Sequence, residues 1–545
     1  MQPSMQRAPN TTISVQEMFS RLDNPVVPRS TFDRSFPVLT TLDAGYLVPL
    51  YWDEITPSDS VQLGLNMFGR INTLIKPIYD NLYLDIHAFF VPNRLVCSSW
   101  TQIMGEQPDP LNPVTKTVPQ ISWASTGGFT GVTSQSLANY LGMPVGYSSP
   151  SKTWSSLPFR AYKKIYDDLY RDENFVPLTL PISAIGDATV AYNDTTFPLY
   201  KRFKRKDYFT SATPGAQKGT APTLSLGGNA NVLPSGTVPL FSSVDGKVNA
   251  KPLSYYSSAV TGSANVLSDL TTPAVINSNL VWTSTTGLYA DLTTATGFSL
   301  NAFREFATMQ QYLERDMRSG NRYTESLYSR FGVTPEDSRL QRAEYLFGKT
   351  FDLMVTPIAQ TSESASGTPQ ANLSGMGTFS AKQTLGTKSF SEHGIFMIIA
   401  SVRQEQRYQQ GIARKFSRES QFDFYDPLFA NLGEQAILNH ELLATGAATD
   451  LNAWGYQQAW ADMRYNPAVI TGKMSSEDPQ SLDSWHLAQD HASLPALGKT
   501  FLEENVPMDR VVAVTDEPDF TLQGIIEMMH TRPLPQRSIP GLLKL

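Results

Sequence analysis

The chain has 545 residues and a formal net charge of −7, from 43 Lys and Arg against 50 Asp and Glu. Charged residues make up 17 % of it, where ~25 % is usual for soluble domains, and aromatic residues make up 11 %. This composition argues against a disordered polymer, which lacks aromatic residues, and against a chain whose main work is to neutralise nucleic acid.

The single cysteine, Cys97, excludes an intrachain disulfide and a cysteine-based zinc site, and it fits assembly in a reducing compartment. No apolar run approaches the ~20 residues needed to cross a bilayer, so we expect no membrane insertion. The polar N-terminal residues show no signal peptide.

Alternating apolar and polar residues predict strands in the first hundred residues. Residues 61–67 alternate regularly, and residues 82–91 alternate and then become continuously apolar before Pro92. Residues 46–51 contain Pro49, which cannot donate a ladder hydrogen bond, so this segment is predicted to be an edge strand.

Helices are few and clearly bounded. A short one is predicted from a Thr133 or Ser134 cap to Leu141, a second begins at Pro158, and a third runs from an Asn301 cap to Gly320.

Further strands are predicted towards the C-terminus. The apolar run 395–400 is typical of a buried strand, and residues 510–514 and 520–526 are also predicted to be strands. The proline-rich residues Arg532, Pro533, Leu534 and Pro535 indicate an extended arm that packs on another subunit.

One segment differs in composition. Residues 221–300 contain five charged residues and 23 Ser and Thr, which indicates a β-rich insertion. The chain is therefore divided into 1–220, the insertion 221–300, and 301–545. Within the insertion, the candidate contacts are the aromatic residues Tyr255, Tyr256, Trp282 and Tyr289. The alternative, which we favour, is that they form the insertion's own small core.

A basic segment precedes the insertion. Its cationic residues are Lys201, Arg202, Lys204, Arg205 and Lys206, with Phe203 between them. Basic clusters with aromatic residues suit single-stranded nucleic acid, because cations track phosphates and rings stack on bases. The alternatives are a solvated turn and an intersubunit ion-pair cluster.

Motifs for catalysis, cofactors or metals are incomplete. Gly348 and Gly498 each begin a Gly-Lys-Thr triplet, but the earlier glycine of a phosphate-binding loop is missing in both cases. His486 and His491 do not have metal-ligand spacing, and the adjacent carboxylates favour a solvated face. We therefore predict that the chain is not an enzyme and has no cofactor.

Many short segments, in one order, resemble the major capsid proteins of microviruses, in particular the gokushovirus branch of small single-stranded DNA phages. They cover nearly the whole chain outside the insertion, and include Pro28–Ser35, Asp43–Pro49, Asp80–Asp85, Phe89–Leu95, Met104–Gln107, Arg171–Asn174, Asp207–Ser211, Leu313–Arg315, Arg322–Glu325, Phe331–Val333, Leu340–Arg342, Tyr408–Gly411, Leu432–Gln435, Leu482–Leu487 and Arg532–Pro535. The chain departs from the family pattern at Ser211–Gly219, where a Cys and a Trp are common.

The resemblance implies a mainly β fold: an eight-stranded antiparallel jelly roll with large inter-strand loops and a few short helices. It implies sixty copies in a T = 1 icosahedral virion, assembled in the host bacterial cytoplasm around circular single-stranded DNA. It also implies that the insertion forms a surface protrusion at the threefold axes and contacts a bacterial host receptor.

The DNA needs counter-charge that this chain does not supply at its start. Residues 1–40 have four Arg against three acidic residues, so there is no polybasic arm. Because phosphates are neutralised by basic residues, we expect a separate small basic DNA-binding protein in the virion, as the resemblance also implies.

Two other classes compete with a capsid protein. A bacterial β-sandwich adhesin or carbohydrate-binding module would need an export signal and usually a modular linker, and neither is seen. A hydrolase on a jelly-roll scaffold would need converging polar groups, which the motifs do not provide.

Overall fold

The computed structural model describes residues 28–106, 115–124, 129–179, 186–220, 222, 300–319, 322–337, 339–361 and 370–537, together with short strands between 231 and 291. The chain forms two compact units. The first contains residues 1–216 and 317–545, and the second contains residues 217–316.

The strands in the described residues are, in chain order, β1 Ser30–Asp33, β2 Phe36–Leu42, β3 Val48–Ile55, β4 Ser60–Ile71, β5 Leu82–Pro92, β6 Gln120–Ser122, β7 Thr153–Ser155, β8 Val190–Ala191, β9 Asn231–Pro234, β10 Leu240–Ser243, β11 Lys251–Pro252, β12 Ser254–Tyr256, β13 Val266–Ser268, β14 Leu280–Trp282, β15 Leu288–Asp291, β16 Glu344–Asp352, β17 Met354–Ala359, β18 Leu373–Ser389, β19 Gly394–Gln404, β20 Glu434–Leu438, β21 Ala453–Gln458 and β22 Phe520–Arg532. The α-helices there are α1 Trp100–Ile103, α2 Leu137–Tyr140, α3 Leu157–Ile165, α4 Leu300–Ser319, α5 Tyr323–Phe331, α6 Asn439–Leu442 and α7 Lys499–Leu502.

Two antiparallel sheets form the centre of the first unit. One, which we call the open sheet, has the order β1-β22-β4-β18-β17, with β2 also paired to β22. The other, the covered sheet, has the order β16-β5-β19-β3. Along the chain β2, β3, β4 and β5 alternate between the two sheets, β16 returns to the covered sheet, and β18, β19 and β22 alternate again. The orders β2-β22-β4-β18 and β16-β5-β19-β3 are therefore the two layers of a jelly roll.

The main core lies between these sheets and follows the alternation in the sequence. Val61, Leu63, Leu65 and Met67 of β4 are buried there, as predicted. They pack in one cluster with even-numbered residues of β22 and β19, such as Leu522. The opposite residues of β4 face away from this cluster, as a half-buried strand requires.

The covered sheet is buried on its other face as well. All residues of β19 are buried, which confirms the buried strand at 395–400. Its even-numbered residues join the main core, while Ile395, Met397 and Ile399 join a second cluster with Trp123 and Tyr162. This second cluster is contributed by the long excursion between β5 and β16, so the excursion covers the sheet.

Other local predictions agree with the structure or need correction. β3 is an edge strand, with an irregularity beside Pro49, and β5 ends at Pro92. The helix predicted to end at Leu141 is α2, and it is shorter than predicted. Its cap is Ser136, rather than Thr133 or Ser134, because the Ser136 side chain accepts the hydrogen bond from the Asn139 N–H at 3.3 Å. α3 begins at Leu157, with Pro158 in its first turn.

The predicted strand at 510–514 is wrong. Residues Met508–Arg510 form a 3-10 turn, and the backbone N–H groups of Val511 and Val512 both donate to the Met508 carbonyl oxygen. Both valines are buried in the main core. The backbone pairing here is limited to an isolated bridge between Val512 and Leu74, so the apolar run mainly reflects packing.

The predicted strand at 520–526 is confirmed, and it continues to Arg532. It pairs with β4 on one side and with β1 and β2 on the other.

The second unit is rich in short strands. Within it β10 pairs with β11 and β14, β12 pairs with β13, and β9 pairs with β15, all antiparallel. It also contains most of α4, which at 20 residues is longer than the other described helices. Because α4 begins at Leu300, Asn301 lies inside the helix and is not its cap as predicted.

Candidate functional site

The basic segment is an extended strand-like connection inside the first unit. The Lys201 backbone pairs with Tyr46, and the Phe203 backbone pairs with Glu503. Because successive side chains of an extended segment point to opposite sides, the five cations do not form a single surface.

Arg202 lies in a buried ionic group at the covered sheet. Its Nη1 donates to Asp85 Oδ2 at 2.6 Å and to Ser401 Oγ at 2.8 Å, and Arg403 Nε donates to the same Asp85 oxygen at 2.9 Å. Burial alone would raise the pKa of Asp85, but the Arg202 charge and the hydrogen bond from Thr350 outweigh burial and leave that pKa lowered. Arg202 therefore neutralises an interior carboxylate.

Lys204 is also interior. Its Nζ donates to Gln489 Oε1 at 2.8 Å and lies 4.4 Å from the centre of the Phe501 ring. Burial lowers the pKa of Lys204, and burial raises the pKa of the neighbouring Glu504 carboxyl. A buried lysine with these contacts is not available to a phosphate.

The remaining cations are nearer the surface. Lys201 Nζ donates to Asn505 Oδ1 at 2.6 Å and sits over the Tyr46 ring. Lys206 is ion-paired with Asp172, although its side chain is 56 % exposed, and Arg205 is exposed. The structure thus divides the predicted cluster: Arg202 and Lys204 are structural, and only Arg205 and Lys206 are exposed.

The candidate aromatic residues of the insertion lie on three strand pairs of the second unit. Tyr255 and Tyr256 are opposite Leu267 and Val266 in the β12–β13 hairpin. Trp282 of β14 is opposite Phe241, and Tyr289 of β15 is opposite Leu233. The backbones of these four residues are therefore paired in antiparallel strands. This pairing does not decide between a contact surface and the unit's own core, and both predictions stand.

The predicted C-terminal arm begins one residue later than its sequence suggests. Arg532 is the last residue of β22, and its Nε donates to the fully buried carboxylate of Asp59 at 3.0 Å. Leu534 and Pro535 are exposed, and Pro533 is partly exposed. The part that can reach a neighbour is therefore Pro533 and beyond.

A buried ionic group that was not predicted from the sequence lies at the start of this arm. His530 Nε2 lies 3.1 Å from Asp59 Oδ2, and Arg34 is ion-paired with Asp53 beside them. Burial, followed by the Arg532 charge, lowers the pKa of His530. The available signal was the alternation of β22, because His530 continues the series Phe520, Leu522, Ile526 and Met528 that faces inward.

The histidines singled out in the sequence have structural contacts. His486 Nε2 lies 2.5 Å from the Met474 carbonyl oxygen, and the His491 backbone N–H donates to Gln410. Among the described residues, no three His, Cys, Asp or Glu side chains are placed to hold a metal ion. None of the helices described there is both long and apolar enough to cross a membrane.

A double-sheet antiparallel domain with long excursions between its strands defines the jelly-roll class, which includes capsid domains. The sequence matches the family described as capsid protein (F protein) over residues 20–542, and the chain belongs to that family.

Three relatives named capsid protein VP1 align over nearly the full length. Identity is 34 % over 601 residues to that of Chlamydia phage 1, covering 97 % of this chain and 98 % of the relative. It is 36 % over 536 residues to that of Bdellovibrio phage phiMH2K, with 96 % and 98 % covered. It is 34 % over 554 residues to that of Spiroplasma virus 4, with 97 % and 98 % covered.

The chain is therefore a structural capsid protein of a phage virion that assembles into a multi-copy shell, and it is not an enzyme. The resemblance to gokushovirus capsid proteins is confirmed. The adhesin alternative has no support among these findings.

Proposed function

We propose that sixty copies of this capsid protein form a T = 1 icosahedral shell around circular single-stranded DNA. The observation that carries the proposal is the near-complete alignment with three phage capsid proteins, on a chain whose central fold is a double-sheet jelly roll. An icosahedral shell combines isologous contacts at its twofold axes with heterologous contacts around its other axes, and a jelly roll with long loops offers surfaces for both.

The test is to produce the chain in bacteria and to image the purified assemblies by cryo-electron microscopy. We expect uniform icosahedra containing sixty copies. Particles with another copy number, or no particles under conditions in which the relatives assemble, would contradict the proposal.

The packaged DNA is proposed to need a second virion protein. The chain has a net charge of −7, and the structure uses Arg202 and Lys204 inside the protein. Because phosphate neutralisation requires accessible cations, we propose that a small basic protein supplies most of the counter-charge. Full particles that contain DNA and this chain alone would refute this.

The insertion 221–300 is proposed to protrude from the shell and to contact the host receptor. Its low charge supports a contact surface, because charged residues are depleted at the centres of protein interfaces. The test exchanges residues 221–300 between this chain and a relative with another host, and measures adsorption to both hosts. Host preference should follow the insertion, and unchanged preference would contradict the receptor role.

The C-terminal arm is proposed to pack on a neighbouring subunit. A truncation after Arg532 keeps the ionic contact with Asp59 and removes Pro533 onwards. We expect a folded protein that assembles poorly, as measured by unfolding midpoint and particle yield. A truncation after Met528, which also removes His530 and Arg532, is the comparison and should unfold more readily. Normal particles from the truncation after Arg532 would show that the arm is not needed for assembly and would contradict the proposal.

A further inference from the structure

A loop between β19 and β20 exposes an unusual amount of apolar surface. We call residues 410–432 the aromatic loop. Six of its large apolar side chains are between 47 and 89 % exposed, namely Phe416, Phe422, Phe424, Tyr425, Leu428 and Leu432. At roughly 170 Å² for each fully exposed side chain, they present about 650 Å². The largest apolar patch of a typical monomer is about 300–600 Å².

The aromatic loop is held in one conformation despite this exposure. Three 3-10 turns, Arg414–Ser417, Gln421–Asp423 and Pro427–Phe429, follow one another along it. The acids in two of the turns are used locally: Asp423 accepts from the Ser420 N–H at 2.7 Å, and Asp426 accepts from the Leu428 N–H at 2.8 Å. Its exposed rings are therefore presented by an ordered backbone.

Side chains outside the loop fix it to the first unit. The buried Trp460 donates through Nε1 to the Phe429 carbonyl oxygen at 3.0 Å, and its ring contacts Tyr425. At the other end, Gly411 approaches the Glu441 carbonyl oxygen so closely that a Cβ would lie 1.9 Å from it. A preorganised apolar surface loses little conformational entropy when it is covered.

The charges of the loop indicate which kind of partner covers it. The loop contains three cations and three acids, so its formal net charge is zero. Arg414 Nη1 lies 3.1 Å from Glu441 Oε1, and Arg418 Nη2 lies 2.6 Å from Asp462 Oδ2, so two of the cations are already paired. A nucleic acid needs accessible cations for its phosphates. A protein partner buries charged groups at a lower cost when they are already paired, because an unpaired buried charge is strongly destabilising.

The exposed apolar area of the aromatic loop fits a protein partner, and in a capsid shell that partner is a copy of the same chain. A standard protein interface buries about 800 Å² per partner, and its core is rich in aromatic residues and arginine. The apolar part of the aromatic loop approaches that area by itself, and a capsid shell supplies many copies of one partner. We propose that the aromatic loop is a contact surface for a second copy of this chain in the shell. The inference rests on the proposed function, since it names the partner of the assembled state.

The first experiment places a photo-crosslinking residue at Leu428, the most exposed side chain of the loop. Particles are assembled from a mixture of ¹⁴N- and ¹⁵N-labelled chains, and cross-linked peptides are identified by mass spectrometry. We expect mixed-label peptides in which both halves come from this chain. Cross-links to DNA or to another virion protein, or peptides of one label only, would overturn the inference.

The second experiment compares Leu428→Asp with Leu39→Asp. Leu39 is a matched control, because it is 82 % exposed on the open sheet, outside the loop. A charge inserted at a contact should lower particle yield roughly tenfold or more for Leu428→Asp. The control should retain its yield, and both unassembled proteins should keep the wild-type unfolding midpoint.

Unchanged yield for Leu428→Asp, or an equal loss in the control, would overturn the inference. If the wild-type chain itself forms no shell, the proposed function fails instead. The two failures are therefore distinguishable.

Discussion

The open sheet and the covered sheet of the first unit share one core but differ in what lies on their outer faces. In the covered sheet, β19 is buried along its whole length, because the excursion between β5 and β16 packs on its second face. In the open sheet, β22 alternates between buried and exposed residues, and Ile525 remains 45 % exposed. The chain thus covers one face of its jelly roll itself, whereas the described residues form no such layer over the opposite face.

This difference shows that the excursions have separate tasks. The part that carries Trp123 and Tyr162 completes a hydrophobic core and belongs to folding. The aromatic loop is ordered but exposes its rings, and belongs to assembly under the proposal above. An exposed apolar face in a monomer is informative in a capsid protein, because further copies are available to cover it.

The largest effect is expected from matched isoleucine substitutions in the two sheets. Ile399→Ala in β19 should lower the free energy of unfolding by about 2–5 kcal/mol, because Ile399 packs against the excursion and a cavity would remain. Ile525→Ala in β22 should cost no more than about 1 kcal/mol. Denaturant unfolding of the unassembled protein measures both. Equal losses would mean that the outer faces are not different in packing.

A second comparison separates buried from exposed cations. Arg202→Met should cost about 3 kcal/mol, because Asp85 loses one of its two guanidinium partners in the interior of the covered sheet. Lys206→Met should cost less than Arg202→Met, because the Lys206 side chain is 56 % exposed, although the buried Asp172 carboxylate loses this partner. The same unfolding assay applies, and a large loss for Lys206→Met would contradict the division of the basic segment.

A pH effect is expected where α5 attaches to the excursion. Burial, together with hydrogen bonding and repulsion from Glu173, raises the pKa of Glu325 to about 7. An unfolded glutamate has a pKa of about 4.3. The stabilisation from protonated Glu325 is therefore complete below that value and is lost as pH rises to about 7.

The check compares unfolding midpoints at pH 5 and pH 8 for wild type and Glu325→Gln. The wild-type midpoint should fall more between the two pH values, because the glutamine cannot ionise. Parallel shifts in the two proteins would show that Glu325 does not titrate in this range.

The smallest expected effect is on DNA binding, and it tests which surface of the first unit faces the DNA. Replacing both Arg205 and Lys206 with alanine should lower the salt dependence of single-stranded DNA binding by about 0.7 per lost phosphate contact. The matched pair is Arg70 and Lys382, which are exposed on the outer face of the open sheet. Their replacement should leave the slope unchanged. The reverse result would place the DNA against the open sheet and end the nucleic-acid role of the basic segment.

Several of these features were predictable from local sequence. The alternation in 61–67 and the proline in β3 each depend on neighbours a few residues away, and the structure confirms both. The basic segment was less predictable, because its composition does not reveal that Arg202 is ion-paired with the buried carboxylate of Asp85. The strand predicted at 510–514 was wrong for a related reason. Val511 and Val512 are apolar because they are buried, and buried positions need apolar residues whether or not the backbone forms a strand.

By itself, the sequence determined the capsid family and, through that resemblance, the jelly-roll class, because the family's short segments occur in order along the whole chain. Only the tertiary structure decided which sheet face is covered, where the arm begins and which cations of the basic segment are exposed. The ion pair between Asp59 and Arg532 joins residues 473 positions apart. Such contacts depend on how distant strands pair, and no local pattern carries that information.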